Sequence, residues 1–207
     1  RGLGDVYKRQ ASHCSSCHRY NGHDGRGFPV EDTPSAADLA GFASVQWITE
    51  LLDYDHYVSH KYFGGTKFKD GTMARKVLAK YTEEEKKLLP DIAILLADGA
   101  NLPYEKKLEE DRREELLSLY YNDDLKFEDG RSCIECHDID SEDEGSAPDL
   151  TGYGSREWLI AFIKNPEDAR FYGKKNERMP CYGRDEKLKE EEIATLVDWI
   201  RSTPAQN

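Results

Sequence analysis

One five-residue pattern, Cys-x-x-Cys-His, occurs twice in this chain, as Cys14-Ser15-Ser16-Cys17-His18 and as Cys133-Ile134-Glu135-Cys136-His137. Behind each, a second block recurs in register. Ala37-Asp38-Leu39-Ala40-Gly41-Phe42-Ala43-Ser44-Val45-Gln46-Trp47 aligns with Pro148-Asp149-Leu150-Thr151-Gly152-Tyr153-Gly154-Ser155-Arg156-Glu157-Trp158. A third block follows, Tyr62-Phe63-Gly64 and then Met73, against Phe171-Tyr172-Gly173 and then Met179. The spacing between copies falls from 119 residues at the first block to 111 at the second and 106 at the methionines, so the first copy carries the longer loops. Three matched blocks in one order are the mark of an internal repeat. A length of 207 residues accommodates two domains of roughly 100 residues each. The expected division is 11–103 and 104–207, with the boundary at 101–108 around Pro103.

Local signals predict helices and no strands. Thr82 with Glu85 reads as a capping box ahead of Leu88, Leu89, Ile92 and Leu95, with Pro90 a kink or restart. Glu109 to Tyr121 reads as an amphipathic helix opening the second copy. Ile193, Leu196, Val197 and Ile200 form the apolar stripe of a closing helix from about Glu190 to Ser202. Ser44 and Ser155 are N-cap candidates for two further short helices, the second stopped by Pro166. The expected fold class is all-α. With 38% apolar and 34% charged residues the chain is poor in core-forming material. The longest apolar runs, Ile92 to Ala97 and Leu159 to Ile163, fall far short of the ~20 residues of a membrane span, so no span is expected in this chain. The net charge of −12 argues against a nucleic-acid or anionic-membrane partner.

Residues 1–10, Arg-Gly-Leu-Gly-Asp-Val-Tyr-Lys-Arg-Gln, read as a translated sequencing-library adapter, since GATGTGTATAAGAGACAG encodes Asp5 to Gln10. Setting them aside leaves a net charge of −14. The native N-terminus is then lost, and an upstream segment that anchors the chain to a membrane remains open.

Cys-x-x-Cys-His is the attachment signature of c-type haem: two thiols add across the porphyrin vinyl groups, and the adjacent histidine comes to lie under the iron. Such a tether also fills a core that the apolar residues alone would leave thin. A zinc site built from both cysteine pairs is the first competitor. It is disfavoured by the 119-residue separation and by the histidine that follows each pair at once. Thioredoxin-type chemistry would want a βαβ context, which the sequence lacks. The expected proximal ligands are His18 and His137, with Cys14, Cys17, Cys133 and Cys136 as the covalent attachments. Methionine opposite histidine raises the reduction potential and suits electron transfer. The chain holds two methionines, one per copy. Met179, followed by Pro180, and Met73 are therefore the distal candidates, with His56 and His60 as rivals to Met73. Pro148 begins the turn expected to offer a carbonyl to the proximal histidine Nδ1–H, fixing ring orientation; Ala37 stands at that place in the first copy. Trp47 and Trp158 are expected to pack on the haem or in the core. Tyr62, Arg170 and Lys174 are candidates to meet haem propionates, Cys181 reads as an inert buried thiol, and His13 and His23 as solvated.

The copies resemble class I cytochrome c domains: a Cys-x-x-Cys-His after an N-terminal helix, a methionine loop and a closing helix. More narrowly, Cys17 to Gly27, Pro148 to Leu159, Arg170 to Gly173 and Arg178-Met179-Pro180 resemble the dihaem cytochrome c tails joined to, or encoded beside, cytochrome b subunits of bacterial quinol-oxidising bc complexes. The first copy departs from the pattern in lacking its own N-terminal helix and the Met-Pro pair. The resemblance implies two covalently bound haems and single-electron transfer at the outer face of the cytoplasmic membrane or in the periplasm. It also implies redox partners such as a cytochrome b or Rieske-type subunit; the acidic surface would suit a basic soluble cytochrome. No general acid, base or nucleophile is called for, so the isolated chain is expected to be a carrier and not an enzyme. The alternatives are a dihaem peroxidase-like enzyme with one open haem site and a structural or assembly subunit.

Overall fold

A computed structural model describes residues 13–24, 33–121, 132–140 and 146–202. The adapter-like residues 1–10 lie outside the described residues. Among those described, the fold is helical and carries no strand; one isolated bridge joins Tyr20 and His23. The α-helices with full bounds among the described residues are, in order, α1 (Val45–Leu51), α2 (Tyr54–Tyr57), α3 (Glu83–Lys86), α4 (Leu89–Ala100), α5 (Glu110–Tyr121), α6 (Arg156–Lys164) and α7 (Glu190–Ile200). Met73–Val77 forms a π-helical turn, and single 3₁₀ turns occur at Lys67–Asp70, Leu78–Lys80, Cys133–Glu135 and Gly173–Lys175.

The helices begin where short polar side chains can accept a free backbone N–H. Ser44 Oγ accepts from Trp47 N and Ser155 Oγ from Trp158 N, both at 3.1 Å. Thr82 and Glu85 exchange both bonds of a capping box at α3. Each such cap contributes about 1 kcal/mol. Pro90 sits in the first turn of α4, where its missing N–H costs nothing, so the chain restarts there as a new helix. Asn101 closes α4 in the left-handed region, at φ 52°.

Two apolar cores form. In the first, Trp47, Ile48 and Tyr62 pack with Ile92, Ala93 and Leu96 of α4. Leu116 and Tyr120 of α5, with Ile139, complete that same core. It therefore crosses the boundary expected at 103/104. The second core joins Trp158 and Ile163 of α6, Phe171, and Ile193, Leu196 and Val197 of α7, and Cys14 and Leu39 pack against it. Between the cores Ala43, Ala100 and Leu102 meet in a third small cluster, and the Phe42 and Tyr153 rings lie 5.6 Å apart. The Arg201 guanidinium donates to the carbonyls of Ala100, Asn101 and Gly154. It thereby satisfies the open C-terminal end of α4 from the far end of the chain.

Candidate functional site

Each Cys-x-x-Cys-His is wound into one turn. Cys17 and His18 both donate their N–H to Cys14 O (3.1 and 2.8 Å); Cys136 and His137 donate to Cys133 O (3.2 and 2.9 Å). Residues three and four apart on such a turn share a face, which gathers two thiols and an imidazole on one side. Burial pushes the Cys14 thiol up to about 11 and raises Cys133 as well. Reactive redox cysteines need the opposite shift. Nor do three His, Cys, Asp or Glu side chains converge anywhere among the described residues as a zinc site would require.

His18 Nδ1 lies 2.7 Å from Ala37 O, and His137 Nδ1 lies 2.7 Å from Pro148 O. A carbonyl can only accept, so Nδ1 carries the proton in both rings and Nε2 keeps its lone pair. Burial holds both imidazoles below the ordinary histidine range, hence neutral, outweighing the carbonyl bond and a nearby aspartate that pull the other way. This is the state in which histidine binds a metal. The carbonyl arrives from 19 residues downstream in the first half and 11 in the second, yet the turn that presents it is clamped at three equivalent points. Leu39 N donates to Arg19 O and Leu150 N to Asp138 O (2.9 and 2.8 Å). Asp38 N donates to Lys61 O and Asp149 N to Arg170 O (2.8 and 2.9 Å). The indole N–H of Trp47 donates to Asp38 O and that of Trp158 to Asp149 O (3.0 and 3.3 Å). Both tryptophans are buried and hold the aspartate turn against their helix.

Cys14, Cys17 and His18 line a largely apolar cavity whose walls include Trp47, Trp158 and Phe162. Met179 and Pro180 line the same cavity; Met73 does not. Repeat order predicts Met73 opposite His18, so the structure brings together residues that the repeat assigns to different copies. Met73 is half-buried and packs against the first core, as do Cys133 and Ile134. His56 and His60 are exposed, and His56 Nδ1 lies 2.9 Å from Asp53 Oδ1. Tyr62, a propionate candidate, is fully buried, its hydroxyl donating to Glu50 (2.8 Å) and to Trp47 O (3.2 Å). Arg170 lies over the Phe171 ring at 4.6 Å, and Lys174 is exposed. Cys181 is buried, its Sγ 3.3 Å from Asn165 Oδ1. His23 is exposed; His13 is exposed too, but its ring meets Tyr182 edge-on at 6.2 Å.

Three tyrosines beside the motifs carry no site signal in the sequence, Tyr120 reading there only as part of a helix's apolar face. Tyr182 donates to His13 O (3.2 Å) and Tyr120 to His137 O (3.0 Å), while Tyr81 lies beside the Cys133 thiol. None belongs to a repeated block, so comparing the copies could not single them out. The donor set fits a covalently held porphyrin: paired thiols, a neutral imidazole with one nitrogen already committed, a thioether and apolar walls. Among the described residues no helix is long and apolar enough to cross a membrane.

Residues 126–204 match the family model for cytochrome c. Neither the curated proteins nor the solved structures yield a match. The match supports a class I cytochrome c domain in the second half, and with it covalently bound haem c with its iron and a haem electron-transfer protein.

Proposed function

We propose that the chain is a dihaem c-type cytochrome, built by duplication, that carries single electrons in or from a quinol-oxidising cytochrome bc-type complex. The observation that carries this reading is the paired histidine bond, 2.7 Å from Nδ1 to a backbone carbonyl in both halves. It fixes each ring with Nε2 available as a ligand. The family match supports the second haem site, and the matching aspartate-leucine clamp near His18 supports extending the assignment to the first. Bound haem would supply reversible one-electron reduction at its iron. The chain's own groups do the rest. Cys14, Cys17, Cys133 and Cys136 would supply the thiols for thioether links, and His18 and His137 would hold the irons through Nε2. Met73 and Met179 would supply thioether ligands, and the tryptophan-backed turns keep the imidazoles from rotating. One candidate methionine ligand for each site favours a carrier over an enzyme that needs an open haem. Covalent attachment takes place outside the cytoplasmic membrane, so the protein works in the periplasm or on the outward membrane face.

Mass spectrometry under denaturing conditions should find two covalently bound haems, falling to one when Cys133 and Cys136, or Cys14 and Cys17, become alanine. A single haem in the unaltered chain would refute the dihaem reading. The acidic balance, 41 Asp and Glu against 29 Lys and Arg, is expected to steer a basic redox partner. Stopped-flow association with a basic cytochrome should then slow on the order of tenfold as added salt screens the charges. Rates that ignore salt would remove that partner class.

A further inference from the structure

We propose that the two haem sites are crossed between the halves, a step that rests on the haem reading above. Met179 closes the site of Cys14, Cys17 and His18, and Met73 closes the site of Cys133, Cys136 and His137.

The cavity beside His18 carries the first part of the argument, since it is lined by Met179 and not by Met73. The flanks of the first motif are fastened to the second half independently of that cavity. The Tyr182 hydroxyl bonds His13 O, and Tyr20 lies against Trp199 of α7 with ring centroids 4.4 Å apart. Packing shows a reciprocal exchange. Cys14 and Leu39 belong with the core of α6 and α7. Their counterparts Cys133 and Leu150 belong with the core of α1 and α4, against which Met73 also packs. Helix α5, which leads into the second motif, lies on α4 and fills the first core through Leu116 and Tyr120. The methionine loops themselves run side by side: Phe68 and Tyr172 are 5.2 Å apart, and Lys67 N donates to Glu177 Oε2 at 3.0 Å.

Such an exchange requires no special sequence. Repeats share the same contacts, so a segment of one copy fits the other copy's core, as identical elements do in swapped dimers. The consequence is that neither half encloses a complete site, and both sites depend on the contact at Ala43 and Gly154.

The test uses the full chain in two single-haem parents. Cys133→Ala with Cys136→Ala leaves the His18 site, and Cys14→Ala with Cys17→Ala leaves the His137 site. In the first parent, Met179→Ala should take ferrous carbon monoxide binding from none to one per haem, while Met73→Ala leaves the site closed. In the second parent the two substitutions should exchange effects. Met179→His and Met73→His guard against mere loosening. Each should keep its site closed while changing the electron paramagnetic resonance signal only in the parent whose haem it faces. The uncrossed pattern, with Met73 governing the His18 site, overturns the proposal and leaves the dihaem reading intact. Parents that keep no covalent haem under denaturing conditions overturn both.

Discussion

The two halves hold their histidines with the same bonds but differ in the residues that stand behind them. Ala37 in the first half answers to Pro148 in the second, Ala43 to Gly154 and Tyr62 to Phe171. What is shared is the set of backbone positions that orient the imidazole. What differs lies where the surroundings of the two turns are unlike. Ala43 and Gly154 are the sharpest case. Both adopt left-handed backbone, φ 64° and 75°, and they face each other across the contact between the halves. A Cβ built on Gly154 would stand 2.2 Å from the Cβ of Ala43 and 3.4 Å from that of Ala100. There is room for one methyl group and not for two, so the contact itself forbids the copies from being identical.

The largest effect should therefore come from Gly154→Ala. Overpacking against Ala43 and a side chain at positive φ together should cost about 2–4 kcal/mol, read as a fall in the denaturant midpoint. Adding Ala43→Gly moves the methyl group to the other side of the contact and should recover most of the loss. If the double variant is no more stable than Gly154→Ala alone, the two positions do not share one space and the symmetric account of this contact fails.

Helix starts were legible in the sequence because they depend on neighbouring residues alone. Ser44, Ser155, the Thr82–Glu85 box and Pro90 each fix a boundary through a bond or a missing donor within four residues. The histidine turn was legible at Pro148 for the same kind of reason, an aspartate-leucine turn repeated after each motif. The crossing of segments was not, since Leu39 and Leu150 are the same residue in the same setting and each suits either core. Packing at Ala43, Gly154 and Arg201 joins the halves through residues distant in sequence, and such contacts leave no local pattern. The π-helical turn at Met73–Val77 is equally silent, because Met-Ala-Arg-Lys-Val carries no glycine or proline to announce it.

A smaller effect separates Tyr62 from Phe171. Burial alone would raise the Glu50 carboxyl, but hydrogen bonds from Lys61, Tyr62 and Gln46 outweigh it and hold the group below its ordinary range. A depressed carboxylate stabilises the folded state above its unfolded pKa and loses that contribution as pH falls through the folded value. Tyr62→Phe makes the first half like the second and should cost about 1 kcal/mol at pH 7. It should also weaken the acid dependence, so the gap between variant and parent narrows toward pH 3. A gap that stays constant in urea titrations across that range would mean that the hydroxyl acts through Trp47 O alone.

The smallest change is Ala37→Pro, and it asks whether the first histidine turn is merely a looser version of the second. Ser35-Ala36-Ala37-Asp38-Leu39 and Ser146-Ala147-Pro148-Asp149-Leu150 differ at that one position. Both turns deliver their carbonyl 2.7 Å from the histidine. Proline at 148 shows that the shared geometry tolerates a fixed φ and a missing N–H. The same ring at 37 should then remove freedom from the unfolded chain without straining the fold, stabilising by about 0.5 kcal/mol. The longer first connection, 19 residues against 11, makes the gain informative. A rise in melting temperature means that the turn alone sets the histidine's carbonyl, with the extra loop a passive insertion. A fall means that the longer loop approaches Ala37 with a different backbone, and that the two histidines are held alike by different routes.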